Sequence, residues 1–302
     1  MDAYALRIAN RLVGNDDGAA GLEVTLAGPV LEFHADALIA ICGGEWNAMI
    51  GKKTVPMNRP VWIAQGSRLD FGRAIAGCRA CVAFSGGIDV ALVLGSRSTY
   101  LRSGFGGLNG RALKKGDQLA MRGGANPPFP GVRNSPAFAN DGFAVPKWSM
   151  RVDSERLLLR PQRIRFLAGR HWEKWAEGVR SLFLGENFRV GAASDRMGYR
   201  LEGVDLERHE YGNIASEAVA FGTIQLPPDG NPIVLMADRQ TIGGYPRVGE
   251  VASVDLSLLA QLKPGDTLRF EKIALSEAHH LIHEREVGLA QMQASISAVR
   301  NQ

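Results

Sequence analysis

Short apolar runs separated by glycine and proline are the feature that most limits how this chain can fold. Between Leu22 and Met121 such runs recur at intervals of roughly ten residues, as they do in β-sandwiches and β-barrels. The run Ala37–Cys42, for example, is continuously apolar and is followed at once by two glycines. The first half of the chain is therefore predicted to consist of short strands, with the turn at Lys115–Gln118 leading into one more.

One helix is predicted before these strands. Asp2 is placed to cap it, and Gly14 is placed to end it. Asn10 falls beside the apolar face of this helix. We interpret Asn10 as a buried amide whose hydrogen bonds are satisfied within the protein.

The second half repeats the strand pattern after a change in composition. Residues 122–157 contain five prolines and little periodicity, which indicates an irregular linker. The strands predicted beyond it are Arg163–Leu167, Phe188–Val190, Tyr199–Leu201, Phe221–Leu226, Ile233–Met236, Val251–Leu256 and Thr267–Phe270. An apolar stripe from Trp172 to Phe183 predicts a helix that ends at Gly185, and Ser276 begins a last helix that reaches Val299.

These patterns predict a mostly β fold in two similar units with a few helices. The boundaries are a first subdomain at 1–121, the linker at 122–157, a second subdomain at 158–275 and a C-terminal helix at 276–302. A chain of 302 residues is long enough for two such domains.

Composition excludes several classes of protein. The chain is 45% hydrophobic and 22% charged with a net charge of +4, and its basic residues are scattered, so we expect no nucleic-acid partner. No apolar run approaches the length of a transmembrane helix, and no secretory signal is apparent, so we expect no membrane partner. Three cysteines, an odd and low number, favour a reducing compartment and a cytoplasmic location. Cys78 and Cys81 lie three apart on a predicted strand and should face opposite sides, which disfavours a redox pair.

The stretch Asn231–Glu250 is the strongest candidate for a functional site. An apolar strand runs there into a carboxylate, an amide, a hydroxyl and two glycines, whose backbone a ligand can approach closely. The alternative is a polar hairpin turn after a core strand. Asp238 is the candidate catalytic acid, base or hydrogen-bond acceptor. The candidate binding residues here are Gln240, Thr241, Gly243, Gly244 and Tyr245.

A second polar cluster, Ser194–Arg200, supplies Asp195, Arg196 and Arg200 as further candidate binding residues. Arginine can grip a carboxylate with two parallel hydrogen bonds. Together the two clusters suit a planar ligand that carries an amide and a carboxylate. The alternative is that Asp195 and Arg196 form an ion pair that only ties loops together.

Other kinds of site find little support. No Walker A motif occurs, so ATP, if used, should be bound by another chain. No Ser-His-Asp arrangement is apparent, and His279, His280 and His283 lack the glutamate of a zincin motif, so we expect no metal site. The glycine-rich stretches Gly95–Thr99 and Gly104–Arg111 could bind an anion through backbone N–H groups, although hairpin architecture is the favoured interpretation.

Several motifs in one order resemble a known family. The segments that carry the resemblance are Leu6–Asn15, Leu22–Leu26, Gly86–Val90, Gly95–Thr99, Gly106–Arg111, Ser194–Leu201 and Pro232–Pro246. They are similar to those of the KipA/PxpC family, the AHS2-type carboxyltransferase proteins also described as the second allophanate hydrolase component. Its usual signature is close to P-I-V-L-M-x-D-x-Q-T-T-G-G-Y-P, in which Ile242 here replaces the second threonine.

The resemblance implies two cyclophilin-like β-barrel subdomains in tandem. It also implies a hydrolase function: ATP-dependent opening of the lactam of 5-oxoproline to glutamate, with this chain acting as the PxpC-type component of a 5-oxoprolinase and inactive alone. The partners implied are a KipI/AHS1-like protein and a LamB/YcsF-like protein. ATP would be bound mainly by these partners.

Two further functions are compatible with the resemblance. One is carboxyl transfer to urea or a similar amide, with biotin carried on another chain. The other is a KipA-like regulator that binds a kinase inhibitor. The family pattern also places an additional N-terminal segment before the first helix, so either the start site is misassigned or that segment is missing.

Overall fold

The computed structural model describes residues 1–123, 128–150, 159–204, 206 and 214–299. These residues form a mostly β protein, as predicted. The chain divides into two compact units. Residues 2–154 with 289–302 form what we call the N-terminal unit, and Met1 with residues 155–288 forms the barrel unit.

The N-terminal unit contains two sheets and three helices among its described residues up to 150. Its elements are α1 (Ala3–Leu12), β1 (Leu22–Thr25), β2 (Val30–Glu32), β3 (Ala37–Trp46), β4 (Met49–Ile50), β5 (Lys53–Thr54), β6 (Pro60–Ile63), β7 (Arg68–Asp70), β8 (Ala74–Phe84), α2 (Pro130–Arg133), α3 (Pro136–Asp141) and β9 (Phe143–Ala144). One sheet has the order β1-β8-β3-β6-β9, and the other has the order β2-β7-β4-β5. Apolar residues of both sheets share one core, in which the rings of Trp46 and Phe71 meet edge to face with centroids 6.1 Å apart. Other buried residues of β3, β6 and β8 form a second core with α1.

Part of the stretch predicted as an irregular linker is ordered into short elements. Residues 124–127 and 151–157 of that stretch lie outside the described residues. Residues 128–150 contain α2, α3 and β9, and β9 pairs with β6. Pro130 and Pro136 occupy the first turns of their helices, where a missing N–H leaves no intrahelical hydrogen bond unmade.

Helix α1 confirms the predicted cap and the predicted buried amide. The Asp2 carboxylate accepts a hydrogen bond from Ala5 N at 2.9 Å. The fully buried Asn10 side chain donates to the carbonyls of Asp17 and Ala19, and its oxygen accepts from Asn15. The Asn15 side chain in turn binds Gly86 N and Phe84 O, so this motif holds the turn after β8.

The three cysteines form no disulfide and are buried in the N-terminal unit. Cys42 on β3 lies opposite Cys81 on β8. Burial raises the pKa of both thiols well above the ordinary 9.0, and the nearby Asp2 carboxylate raises them further. The thiolate form needed for reaction is therefore suppressed in the folded protein.

We expect Cys42 and Cys81 to react with Ellman's reagent at the rate at which the unit opens, because only the open state exposes a thiolate. Native protein should show less than about a tenth of the labelling rate seen in denaturant. The absorbance of released thionitrobenzoate measures both rates. Rapid native labelling of these two residues would contradict their burial.

The barrel unit is a closed sheet, as predicted for the second half. Its strands are β10 (Gln162–Ala168), β11 (Phe188–Val190), β12 (Gly198–Glu202), β13 (Glu217–Ala218), β14 (Thr223–Gln225), β15 (Ile233–Leu235), β16 (Ile242–Gly243), β17 (Arg247–Val251) and β18 (Thr267–Lys272). The barrel order is β10-β17-β14-β15-β12-β11-β18, and β10 closes it by pairing in parallel with β18. Strands β13 and β16 pair separately beside it.

Aromatic packing fills the core of the barrel unit. Phe183 and Phe270 stack with ring centroids 4.7 Å apart, and Phe166 meets Trp172 edge to face at 5.4 Å. The helices of this unit are α4 (Glu177–Gly185) and α5 (Leu256–Ala260), and α6 (Leu275–Val299) begins in it. Residues of α6 up to Gly288 group with the barrel unit, and those from Leu289 onward group with the N-terminal unit.

Three sequence-based elements differ from the structure. The helix predicted from Trp172 is broken into a 3-10 turn and α4, because Trp175 and Ala176 are extended. The strand predicted at Val251–Leu256 ends at Val251, because Asp255 turns the chain into α5 to reach Arg165. The strand predicted after Lys115 is reduced to a single bridge between Ile88 and Met121.

None of the helices in the described part of the chain combines the length and the apolar character needed to cross a membrane.

Candidate functional site

The strand at the centre of the candidate site, β15, lies between β12 and β14 in the barrel. Beyond its end the chain continues alongside the loop before β12. Met236 N donates to Met197 O, and Asp238 N donates to Arg196 O, each at 2.8 Å. The two polar clusters that the sequence singled out are therefore adjacent in the structure.

Arg196 and Asp238 form a two-point ion pair where these clusters meet. Arg196 Nε lies 2.9 Å from Asp238 Oδ2, and Nη2 lies 3.2 Å from Oδ1. Asp238 is 9% exposed, so its carboxylate is shielded on most sides. Such paired, charge-assisted hydrogen bonds fix the orientation of both groups.

The sequence also allowed Arg196 to pair with its neighbour Asp195, but in the structure Arg196 pairs with the distant Asp238. Asp195 instead accepts hydrogen bonds from the backbone of Met197 at 2.8 Å and of Gly198 at 3.3 Å, which makes a tight turn. Its carboxylate thus shapes the loop that presents Arg196. Arg200 lies exposed on β12, and no contact in the described part of the chain brings it to the Arg196–Asp238 pair.

The remaining candidates, from Gln240 to Tyr245, lie in the loop around β16, apart from the Arg196–Asp238 pair. Strand β16 pairs with β13, and Thr241 O accepts a hydrogen bond from Val219 N at 3.0 Å. Gln240, Thr241, Gly244 and Tyr245 are exposed, so this loop presents its polar groups and its backbone to solvent. We call residues 238–245 the signature loop.

Gln225 lies beneath the signature loop and explains one of its glycines. The Gln225 side chain is 1% exposed, and its Nε2 donates a long hydrogen bond of 3.5 Å to Tyr245 O. A Cβ atom on Gly243 would lie only 2.6 Å from Gln225 Nε2. Gly243 is therefore required for the close approach of loop and barrel, and sequence patterns did not point to Gln225.

A buried polar network lies beside the loop, and the sequence patterns did not indicate it either. Thr223, which is fully buried, donates its hydroxyl to the Glu250 carboxylate, with oxygen distances of 2.8 and 3.0 Å. Arg247 Nη2 binds the same carboxylate at 2.5 Å. The signal that could have revealed this network was polar residues inside apolar strands, namely Thr223 and Gln225.

His171 joins this network as a neutral acceptor, because its Nδ1 receives a hydrogen bond from Arg247 N at 3.0 Å. Burial lowers the pKa of His171 below its ordinary 6.5, and the positive charges of Lys174 and Arg170 lower it further. The folded protein therefore binds a proton at His171 less readily than the unfolded chain does.

Folding stability should fall as the pH is lowered below about 6.5, because the unfolded chain then takes up a proton that folded His171 resists. The loss is largest, at most about 1.4 kcal/mol per pH unit, between the unfolded and folded pKa values. Melting temperatures at about pH 7.5 and 5.5, for wild type and His171→Gln, measure the effect. An equally steep decline in both proteins would assign it to other groups.

Metal binding has no support in the described part of the chain, where no cluster of three or more histidine, cysteine or carboxylate side chains could hold an ion. Of the histidines on α6, the exposed His280 has its Nε2 3.2 Å from the Glu284 carboxylate.

Comparison with known proteins identifies related chains. The family model for the carboxyltransferase domain, subdomain A and B, matches residues 1–272. The C-type 5-oxoprolinase subunit from Escherichia coli (strain K12) is 36% identical over 278 residues, which cover 92% of this chain and 83% of the relative.

Solved structures agree with this assignment. The urea carboxylase of Kluyveromyces lactis superposes with a TM-score of 0.79 at 30% identity, over 96% of this chain but only 26% of that chain. The protein TTHA0988 superposes with a TM-score of 0.74 at 31% identity, over 89% of this chain and 48% of that chain. The expected resemblance to carboxyltransferase proteins is thus confirmed.

Proposed function

We propose a function from the premise that this chain belongs to the family of carboxyltransferase domains with subdomains A and B. The function is that of the C-type subunit in a heteromeric, ATP-dependent 5-oxoprolinase, which opens the lactam of 5-oxoproline to glutamate. The observation that carries the proposal is the 36% identity to the corresponding 5-oxoprolinase component of Escherichia coli over most of both chains.

In this proposal the signature loop holds the substrate. The exposed Gln240 and Thr241 side chains orient the planar lactam, and the backbone at Gly243 and Gly244 allows it a close approach. Asp238 accepts a hydrogen bond from the lactam N–H, and Arg196 holds the carboxylate in position for it.

The remaining machinery belongs to other chains. This chain has no Walker A motif, so we assign ATP, which supplies the activation of the lactam, to the partner proteins. A KipI/AHS1-like protein and a LamB/YcsF-like protein are the proposed partners. We expect this chain to be inactive without them.

Co-expression of the three chains followed by an assay of 5-oxoproline-dependent ATP hydrolysis tests the proposal. Activity should require all three. A correctly assembled complex that shows no such hydrolysis would refute it.

A matched pair of variants separates substrate contact from loop anchoring. Asp238→Asn should lower kcat/KM by about 100-fold, in the range of a lost hydrogen-bond or proton-transfer partner. Arg196→Gln should cost less, because the Asp238 carboxylate itself is retained and only its orientation is less firmly held. Equal losses from both variants would reduce Asp238 to an anchor for the loop.

A second candidate is carboxyl transfer from carboxybiotin to urea or a similar amide. It is favoured by the match of nearly the whole chain to part of a urea carboxylase. Biotin would then arrive on another chain. Transfer of labelled carboxylate from carboxybiotin to urea by the assembled complex, without hydrolysis of 5-oxoproline, would select this candidate.

A further inference from the structure

Residues 88–122 of the N-terminal unit form a long ordered segment that contains no helix or strand. The structure describes all of these residues and gives them only turns and isolated bridges. Tyr100 N donates to Phe105 O at 2.9 Å, and Arg111 grips Asp117 through two bonds of 2.7 and 2.8 Å. A loop this long inside a compact unit usually has a function of its own.

This segment exposes an unusual number of large apolar side chains. They are Leu92, Leu94, Leu101, Phe105, Leu113 and Met121. Leu94 is 91% exposed and Leu92 is 60% exposed, so both stand in solvent with little of their surface covered. Several exposed apolar side chains carried by one ordered segment are typical of a binding surface.

Leu94 is not required by its local structure. It occupies a two-residue turn in which Val93 and Ser96 exchange backbone hydrogen bonds of 2.8 and 2.9 Å. Both central residues have positive φ, 50° for Leu94 and 77° for Gly95. Such a turn favours asparagine before glycine and disfavours leucine. Neither turn geometry nor core packing accounts for a leucine here.

The charge of the segment indicates what kind of surface would cover it. Residues 88–122 contain six basic and two acidic residues, so their net charge of +4 equals that of the whole chain. The rest of the chain is therefore balanced, and the positive charge lies in the same segment as the exposed leucines. A partner with acidic groups around an apolar face is complementary, whereas a second copy would bring like charges together.

The related protein TTHA0988 indicates that a chain of this family can carry a second part of similar size. The present chain aligns with 48% of TTHA0988, so about half of that relative lies outside the match. A protein that corresponds to this additional part is the kind of partner that the proposed heteromeric assembly requires.

We propose that residues 88–122 form the docking surface for the KipI/AHS1-like partner, through an apolar face with an acidic rim on that partner. This inference rests on the heteromeric assembly of the proposed function. It adds the location of the contact, with Leu94 as its most exposed residue.

Leu94→Asn tests the inference without endangering the fold, since asparagine suits the turn better than leucine. Leu26→Asn is the matched control: Leu26 is also exposed, has a φ of 60° and lies in the same unit outside the segment. Isothermal titration with the purified KipI/AHS1-like partner should show Kd raised at least about tenfold by Leu94→Asn and unchanged by Leu26→Asn. The melting temperature of Leu94→Asn should stay equal or rise.

Salt provides an independent readout, because wild-type binding should weaken severalfold as sodium chloride screens the charged rim. Wild-type affinity in Leu94→Asn, within a complex that retains 5-oxoprolinase activity, would overturn the docking site and leave the proposed function intact. Absence of any wild-type complex with the KipI/AHS1-like partner would overturn both proposals.

Two other occupants are tested with the same variants. Light scattering would reveal a homodimer that Leu94→Asn dissociates. Sedimentation with phosphatidylcholine vesicles containing phosphatidylserine would reveal lipid binding that depends on Leu94. Either result, with affinity for the KipI/AHS1-like partner unaffected, would overturn the proposed partner.

Discussion

Asp255→Asn is expected to lower the free energy of unfolding by about 3–5 kcal/mol, the cost of removing one partner from a buried ion pair. Asp255 is fully buried and its carboxylate accepts three hydrogen bonds from Arg165: from N and Nε at 2.8 Å, and from Nη2 at 2.6 Å. The substitution leaves a largely buried guanidinium without this counter-charge. Urea denaturation of the purified protein, followed by tryptophan fluorescence, measures the loss.

Glu271→Gln is the matched control, since it removes a carboxylate that faces the neighbouring arginine on β10. Arg163 Nη1 lies 3.9 Å from Glu271, and both side chains are well exposed. Its removal should change the unfolding free energy by less than about 0.5 kcal/mol. If the two variants lost similar stability, burial would not be the reason for the importance of Asp255.

Local patterns predicted the elements of this fold better than the way in which they meet. Apolar runs and glycine turns placed the start of β3 and most of the barrel strands within a few residues of their observed bounds, because a short apolar run marks the residues that a strand buries. The failure at Val251–Leu256 has a non-local cause. The turn there is stabilised by Arg165, which is 90 residues away in the chain.

The candidate site shows the same limit. The sequence indicated Arg196 and Asp238 as polar residues in two separate clusters. The ion pair that it suggested, however, joined two neighbours, Asp195 and Arg196. The observed pair spans 42 positions and depends on the register of β12 against β15. Gln225 was missed for a related reason, because its role arises only when the signature loop folds over β14.

Gly243→Ala should lower the activity of the assembled enzyme by about 10- to 100-fold, the range expected when a binding loop shifts by about an ångström. The new methyl group would lie 2.6 Å from Gln225 Nε2, so either the Gln225 side chain or the loop must shift. Because Gln225 is 1% exposed, we expect the loop to lift from the barrel, which displaces Gln240 and Thr241 from the substrate they are proposed to orient. Steady-state kinetics of 5-oxoproline-dependent ATP hydrolysis measures the loss.

Gly178→Ala is the control, because Gly178 lies on α4 outside the signature loop and an added methyl group there would meet nothing within 4 Å. It should retain most of the activity. A double-mutant cycle then identifies the cause. If the clash is responsible, Gln225→Ala in the Gly243→Ala background should restore activity, although Gln225→Ala alone removes the bond to Tyr245. Full activity in Gly243→Ala would mean that the backbone at this position does not set the geometry of the site.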